Sequence, residues 1–97
     1  MVLLAIRLYN ENMELVPQLE NWAVIDHNGR QCLAGDVFFH PRFDDGNNIT
    51  TSSVVGKRGS FVITRSGSKY LLGVVDPQYE ERYHDARYRL FSSLPEM

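Results

Sequence analysis

Five cations fall in the stretch from residue 42 to residue 72: Arg42, Lys57, Arg58, Arg65 and Lys69. They are interleaved with the hydroxyls of Thr50, Thr51, Ser52, Ser53, Thr64, Ser66 and Ser68. Guanidinium and ammonium groups set among hydroxyl donors are what phosphate recognition requires. Arg42, Lys57, Arg58, Arg65, Ser66, Ser68 and Lys69 therefore form a candidate anion- or partner-binding set. Cations at turns also have a plain structural use, since they protect sheet edges and keep a small domain dissolved. Gly56-Lys57-Arg58-Gly59-Ser60 invites comparison with a phosphate loop, but its glycines are too close together and it runs into a strand rather than a helix. Ser66-Gly67-Ser68 presents two hydroxyls beside a flexible amide and reads first as a turn. Asp44-Asp45-Gly46-Asn47-Asn48 offers oxygen ligands without the alternate spacing or late glutamate of a calcium loop, and also reads as a turn.

No other constellation points to catalysis. His27, His40 and His84 are scattered, with no spacing that ties them into a metal site, so neither metal nor cofactor is expected. His40 with Asp36 or Asp44 resembles a base and its orienter, yet no serine or cysteine nucleophile is fixed beside them. Cys32, the only cysteine, reads as a small core hydrophobe. The expectation is a protein without enzymatic activity. A second candidate surface lies near the C-terminal end, where Arg82, Arg87 and Tyr88 belong to the residue types enriched at protein interfaces.

The 97 residues carry 10 basic and 12 acidic side chains, a formal charge of −2, and 43% of them are hydrophobic. This balance argues against a wholesale nucleic-acid binder and against an acidic disordered tail. Within the chain the charge is uneven. Residues 1–41 hold two bases and five acids, residues 42–72 five bases and two acids, and residues 73–97 three bases and five acids. A single cysteine cannot form an internal disulfide, which suits a reducing cytoplasm. The apolar start, Met1 to Tyr9, is interrupted by Arg7 and is too short to span a membrane.

These residues need a scaffold, and the length allows one domain, 1–97, with one modest core. Strands are expected at about 2–9, 22–26, 31–39, 49–55, 61–65 and 70–75 from apolar runs and alternation. Asn28-Gly29 suits the positive backbone angles of a tight hairpin turn, and Gly35 marks a bulge or a close backbone approach. Tyr79, Tyr83, Ala86 and Leu90 recur with helical spacing after the capping Asp76 and Pro77, predicting one helix over about 77–91. The fold class is mainly β with one helix: a small antiparallel SH3-like or OB-like barrel, or bent sheet, of five to six strands.

The segments Gly35-Asp36-Val37, His40-Pro41-Arg42-Phe43-Asp44-Asp45-Gly46, Ile49-Thr50-Thr51-Ser52, Val62 to Gly73 and Asp76-Pro77 resemble short uncharacterised bacterial and prophage proteins over about residues 35–77. The resemblance brings no activity with it. It implies a context in which small proteins of mobile elements occupy a surface on a host protein, as anti-CRISPR proteins do. Two functions are therefore expected. The first is a small, plausibly phage-encoded binding protein that inhibits or modulates a host protein by surface occupation. The other is a β-barrel module that binds nucleic acid, a nucleotide or another phosphorylated small molecule through the basic 42–72 segment. Exposed sheet edges in small barrels also favour a homodimer.

Overall fold

A computed structural model describes residues 16–97; the strand expected at 2–9 lies outside the described residues. The protein builds six strands and two helices: β1 (Gln18–His27), β2 (Arg30–Phe38), β3 (Asn48–Thr50), β4 (Val54–Arg58), β5 (Phe61–Thr64), β6 (Lys69–Leu72), α1 (Pro77–Arg82) and α2 (Ala86–Ser93). The strands form one sheet in the order β3-β2-β1-β6-β5-β4. No described helix is long and apolar enough to cross a membrane.

The β1–β2 hairpin forms where Asn28-Gly29 places it. Both residues take positive φ, 54° and 80°, and Asp26 Oδ1 accepts the Gly29 N–H at 2.9 Å. β1 starts earlier than residue 22, because Pro17 sits just before the strand and its carbonyl accepts from Leu71 N at 2.9 Å. A bulge between Glu20 and Ala23, with Asn21 at φ 51°, turns Trp22 into the core. Gly35 answers that bulge from β2. A Cβ there would stand 2.8 Å from the Glu20 carbonyl oxygen and 2.9 Å from Leu19 Cγ.

The run expected as one strand over 49–55 is two strands joined by a corner at residues 51–53. β3 pairs with β2 on one side, and β4 pairs with β5 on the other. Since β3 and β4 are the two outer strands of the sheet, those three residues join its edges and curl it into a barrel. Thr51 holds the corner: its N–H donates to Leu33 O at 2.8 Å, its Oγ1 accepts from Leu33 N at 3.0 Å, and its hydroxyl donates to Ser52 O at 2.7 Å.

The corner also explains why the barrel is mixed rather than antiparallel. Because β3 and β4 run onward in one direction, the chain reverses four times between β1 and β6, an even number, so those strands must be parallel. They are, with Gln18 opposite Leu71 and Leu19 opposite Leu72. The parallel contact continues past the bulge as Asp76 N donates to Trp22 O at 2.8 Å.

The single helix expected over 77–91 is a pair. Asp76 Oδ1 accepts from Gln78 N at 2.8 Å to start α1, and the helix stops at Tyr83, whose φ and ψ of −130° and 83° leave the helical region. A straight 15-residue helix would be about 22 Å long, as long as the shortest dimension of the molecule, 23 Å. The break at 83–85 lets the chain bend around the barrel end, so that Ala86, Leu90 and Leu94 pack on Leu19, Trp22, Val62 and Leu72. Cys32 is buried, as expected of a core thiol.

Candidate functional site

The structure divides the basic segment into three groups. Lys57 leaves the candidate surface, and Arg58, still exposed, turns toward the chain end. A register shift between Val54 and Gly56 puts Lys57 opposite the fully buried Val62, so its side chain passes beneath α2 and Nζ donates to Phe91 O at 2.6 Å. There it neutralises the negative end of α2. Its backbone pairs with the last residues of the chain: Lys57 N donates to Pro95 O at 2.9 Å, and Met97 N to Lys57 O at 2.8 Å. Arg58 Nε donates to Met97 O at 3.1 Å, and Glu96 accepts the Gly59 N–H at 3.0 Å. Together these contacts cover the outer edge of β4 with residues 95–97.

Arg42 and the Ser66–Ser68 turn approach one ring, Tyr70: His40 of the Arg42 loop stacks on it, and Ser68 precedes it by two residues. The loop that follows β2 begins at Phe39, a bulky residue at φ 62° whose strain is held by its N–H donating to Asp45 Oδ1 at 2.8 Å. Gly46 N donates to Val37 O at 2.7 Å and closes the loop. The excursion presents His40, Arg42 and Phe43 over the start of β6. The His40 and Phe43 rings lie 4.6 Å apart, and His40 lies 6.1 Å from Tyr70 in a stacked arrangement. Phe43 is 40% exposed, and Arg42 is exposed with no salt bridge among the described residues.

Two residues before Tyr70, at Ser68, a chain of hydroxyls begins: the Ser66 and Ser68 hydroxyls are 3.5 Å apart, and Ser52 Oγ donates to Ser66 Oγ at 3.2 Å. Ser52, at the barrel corner, also accepts the Ser66 N–H at 3.2 Å. The corner that closes the barrel thus fixes the Ser66-Gly67-Ser68 turn beside the aromatic group.

Burial, and after it the Arg42 cation, hold the His40 imidazole below its ordinary value. It is neutral at pH 7, and its Nδ1 accepts from Arg42 N at 3.0 Å, which leaves the proton on Nε2. Burial raises the Tyr70 phenol, with the Ser68 hydrogen bond and the Arg42 charge opposing it. The site accordingly combines one exposed cation, flat neutral rings and hydroxyls able to donate or accept.

Arg65 and Lys69 flank this turn. Arg65 N donates to Ser53 O at 2.8 Å while its side chain is exposed, and Lys69 stands opposite Ile63 in β6. In the helical candidate surface, Arg87 is a tie within the fold. Its guanidinium donates to Leu72 O at 3.2 Å and to Gly73 O, and lies 5.6 Å over the Trp22 ring. Arg82 ends α1 in solvent, and Tyr88 is 74% exposed. Tyr88 rims a groove of about 670 Å³ shared with Val74, Phe91, Glu80, His84 and Asp85.

The sequence singled out Arg42 and His40 but not Phe43, and did not pair the two rings; the signal was His40-Pro41-Arg42-Phe43, an Arg between two flat rings beside a proline. Among the described residues no three His, Cys, Asp or Glu side chains gather in a way that would hold a metal ion.

The fold and the site define a small mixed β-barrel capped by a bent helical pair, with an aromatic and hydroxyl-lined cation at one loop. Comparison with family models, curated proteins and solved structures gives no match for this chain.

Proposed function

We propose that the protein is a non-catalytic binding barrel that recognises single-stranded nucleic acid at the Arg42 end. The observation that carries this reading is the exposed Phe43 ring, set 4.6 Å from His40 and next in the chain to Arg42, which is exposed and makes no salt bridge among the described residues, with the Ser66–Ser68 turn on the far side of Tyr70. A base has a flat face to stack on Phe43, and the adjoining phosphate has a cation and hydroxyl donors to meet. A duplex offers no such open face.

Fluorescence anisotropy with a labelled oligothymidylate and an oligouridylate is the test. Each stacked base contributes about 1–3 kcal/mol, so Phe43→Ala should weaken binding about 5- to 150-fold. Arg42→Ala should weaken it and also flatten the salt dependence by about 0.7 in the log–log slope, one phosphate contact on a single strand. Absence of binding at low salt, or wild-type affinity in Phe43→Ala, would overturn the reading.

A second reading is favoured by the groove that Tyr88 shares with Val74, which is 61% exposed. An aromatic and an aliphatic side chain in one open groove, where Asp85 is already paired with Arg89, suit a protein partner bearing apolar residues, in keeping with inhibition of a host protein by surface occupation. Under this reading, a partner retained on the immobilised wild-type protein is lost with Tyr88→Ala combined with Val74→Ser and retained with Arg42→Ala. Retention by the Tyr88/Val74 double variant would remove it.

A further inference from the structure

Arg30 and Arg65 line one open groove of about 570 Å³, and no carboxylate lines it among the described residues. Arg30 opens β2 opposite His27, and Arg65 leaves β5 with its backbone tied to Ser53, so two separate turns deliver the two guanidiniums. Neither makes a salt bridge or a side-chain hydrogen bond among the described residues. The acids nearest in sequence each accept a backbone N–H, Asp26 from Gly29 and Glu96, beside Pro95 of the groove wall, from Gly59. Ser53 and Gln31 add polar groups, while Val55, Leu94 and Pro95 form an apolar wall.

We infer that this groove binds a small organic phosphate monoester. Two forked guanidiniums carry a charge of +2, which a phosphate monoester, at about −1.5 to −2 at pH 7, balances and a carboxylate only half balances. The forks match the spacing of phosphate oxygens, and the apolar wall accommodates the organic substituent that inorganic phosphate lacks. The site is distinct from the Arg42 loop and goes beyond the single-strand reading, since it needs neither Phe43 nor the Ser66–Ser68 turn.

The test is titration of the full chain with phenyl phosphate, inorganic phosphate and benzoate, followed by NMR of the arginine Nε–H signals. Phenyl phosphate should shift the Arg30 and Arg65 signals selectively and bind more tightly than the other two. Arg30→Gln and Arg65→Gln, both exposed and without side-chain partners among the described residues, should fold normally and each weaken phenyl phosphate about tenfold, the loss of a charge-assisted hydrogen bond. Arg42→Ala should leave phenyl phosphate binding unchanged even where it abolishes oligonucleotide binding, which separates failure of one site from failure of the other. Shifts spread equally over Arg42, Arg58 and Arg82, wild-type affinity in both glutamine variants, or benzoate binding as tightly as phenyl phosphate would each overturn the inference.

Discussion

Replacing Thr51 by Val tests whether the corner at 51–53 closes the barrel. The two side chains are nearly the same shape, and Val suits extended backbone, so packing and propensity are held close to constant. What changes is the Leu33 N–H, which donates to Thr51 Oγ1 at 3.0 Å in a buried site where Leu33 itself is fully covered. Leaving a buried donor without an acceptor costs about 1–3 kcal/mol. Thr51→Ser retains both bonds of the hydroxyl and loses one methyl, about 1 kcal/mol. Thr51→Val should therefore lower stability by about 2 kcal/mol, and since each kcal/mol shifts the midpoint by roughly 4–8 °C in a domain of this size, the fall in Tm should be about 8–16 °C. Urea unfolding followed by Trp22 fluorescence gives the free energy, and calorimetry gives the Tm. If Thr51→Val proves as stable as Thr51→Ser, or more so, the corner is not held by this bond and the account of closure fails. The variant also bears on the site, because Ser52 next to it accepts the Ser66 N–H. Oligonucleotide affinity should therefore fall with Thr51→Val.

Two further outcomes follow from geometry already described. Gly35→Ala places a methyl group 2.8 Å from a backbone oxygen and 2.9 Å from Leu19 Cγ, neither of which is a flexible chain end. The β1 bulge must shift to admit it, and a loss of about 1–3 kcal/mol is expected for overpacking; full retention of stability in urea would show that the bulge is soft. The neutral His40 sets the pH behaviour: its folded pKa lies below its unfolded value of 6.5, so the unfolded chain binds the extra proton first. Its contribution is present above pH 6.5 and is lost as pH falls toward the depressed folded value. Unfolding midpoints measured from pH 7.5 to 5 should decline less in His40→Gln than in the wild type, and parallel profiles would refute the assignment.

Local signals carried the sequence reading a long way and failed where pairing is non-local. Asn28-Gly29 and Asp76-Pro77 announce their turn and their helix start because the chemistry is contained in two adjacent residues. Thr51-Ser52-Ser53 holds no glycine or proline, so nothing local shows that the chain leaves one edge of the sheet there and joins the other. Once that corner is missed, β1 and β6 cannot be recognised as parallel, since their relation depends on counting reversals through it. The fate of Lys57 has the same origin at the scale of one residue. Plain alternation from Val54 would set Lys57 opposite Phe61; the bulge before Gly56 moves it opposite Val62 and so onto the inner face, where the α2 carbonyls rather than a ligand take its charge. Arg42 escapes such reassignment because its loop is fixed by Phe39, Asp45 and Gly46, not by strand register. For that reason the candidate site survives on Arg42, Ser66 and Ser68, which lie on turns, and loses Lys57 and Arg58, which lie on the strand that the bulge rotates.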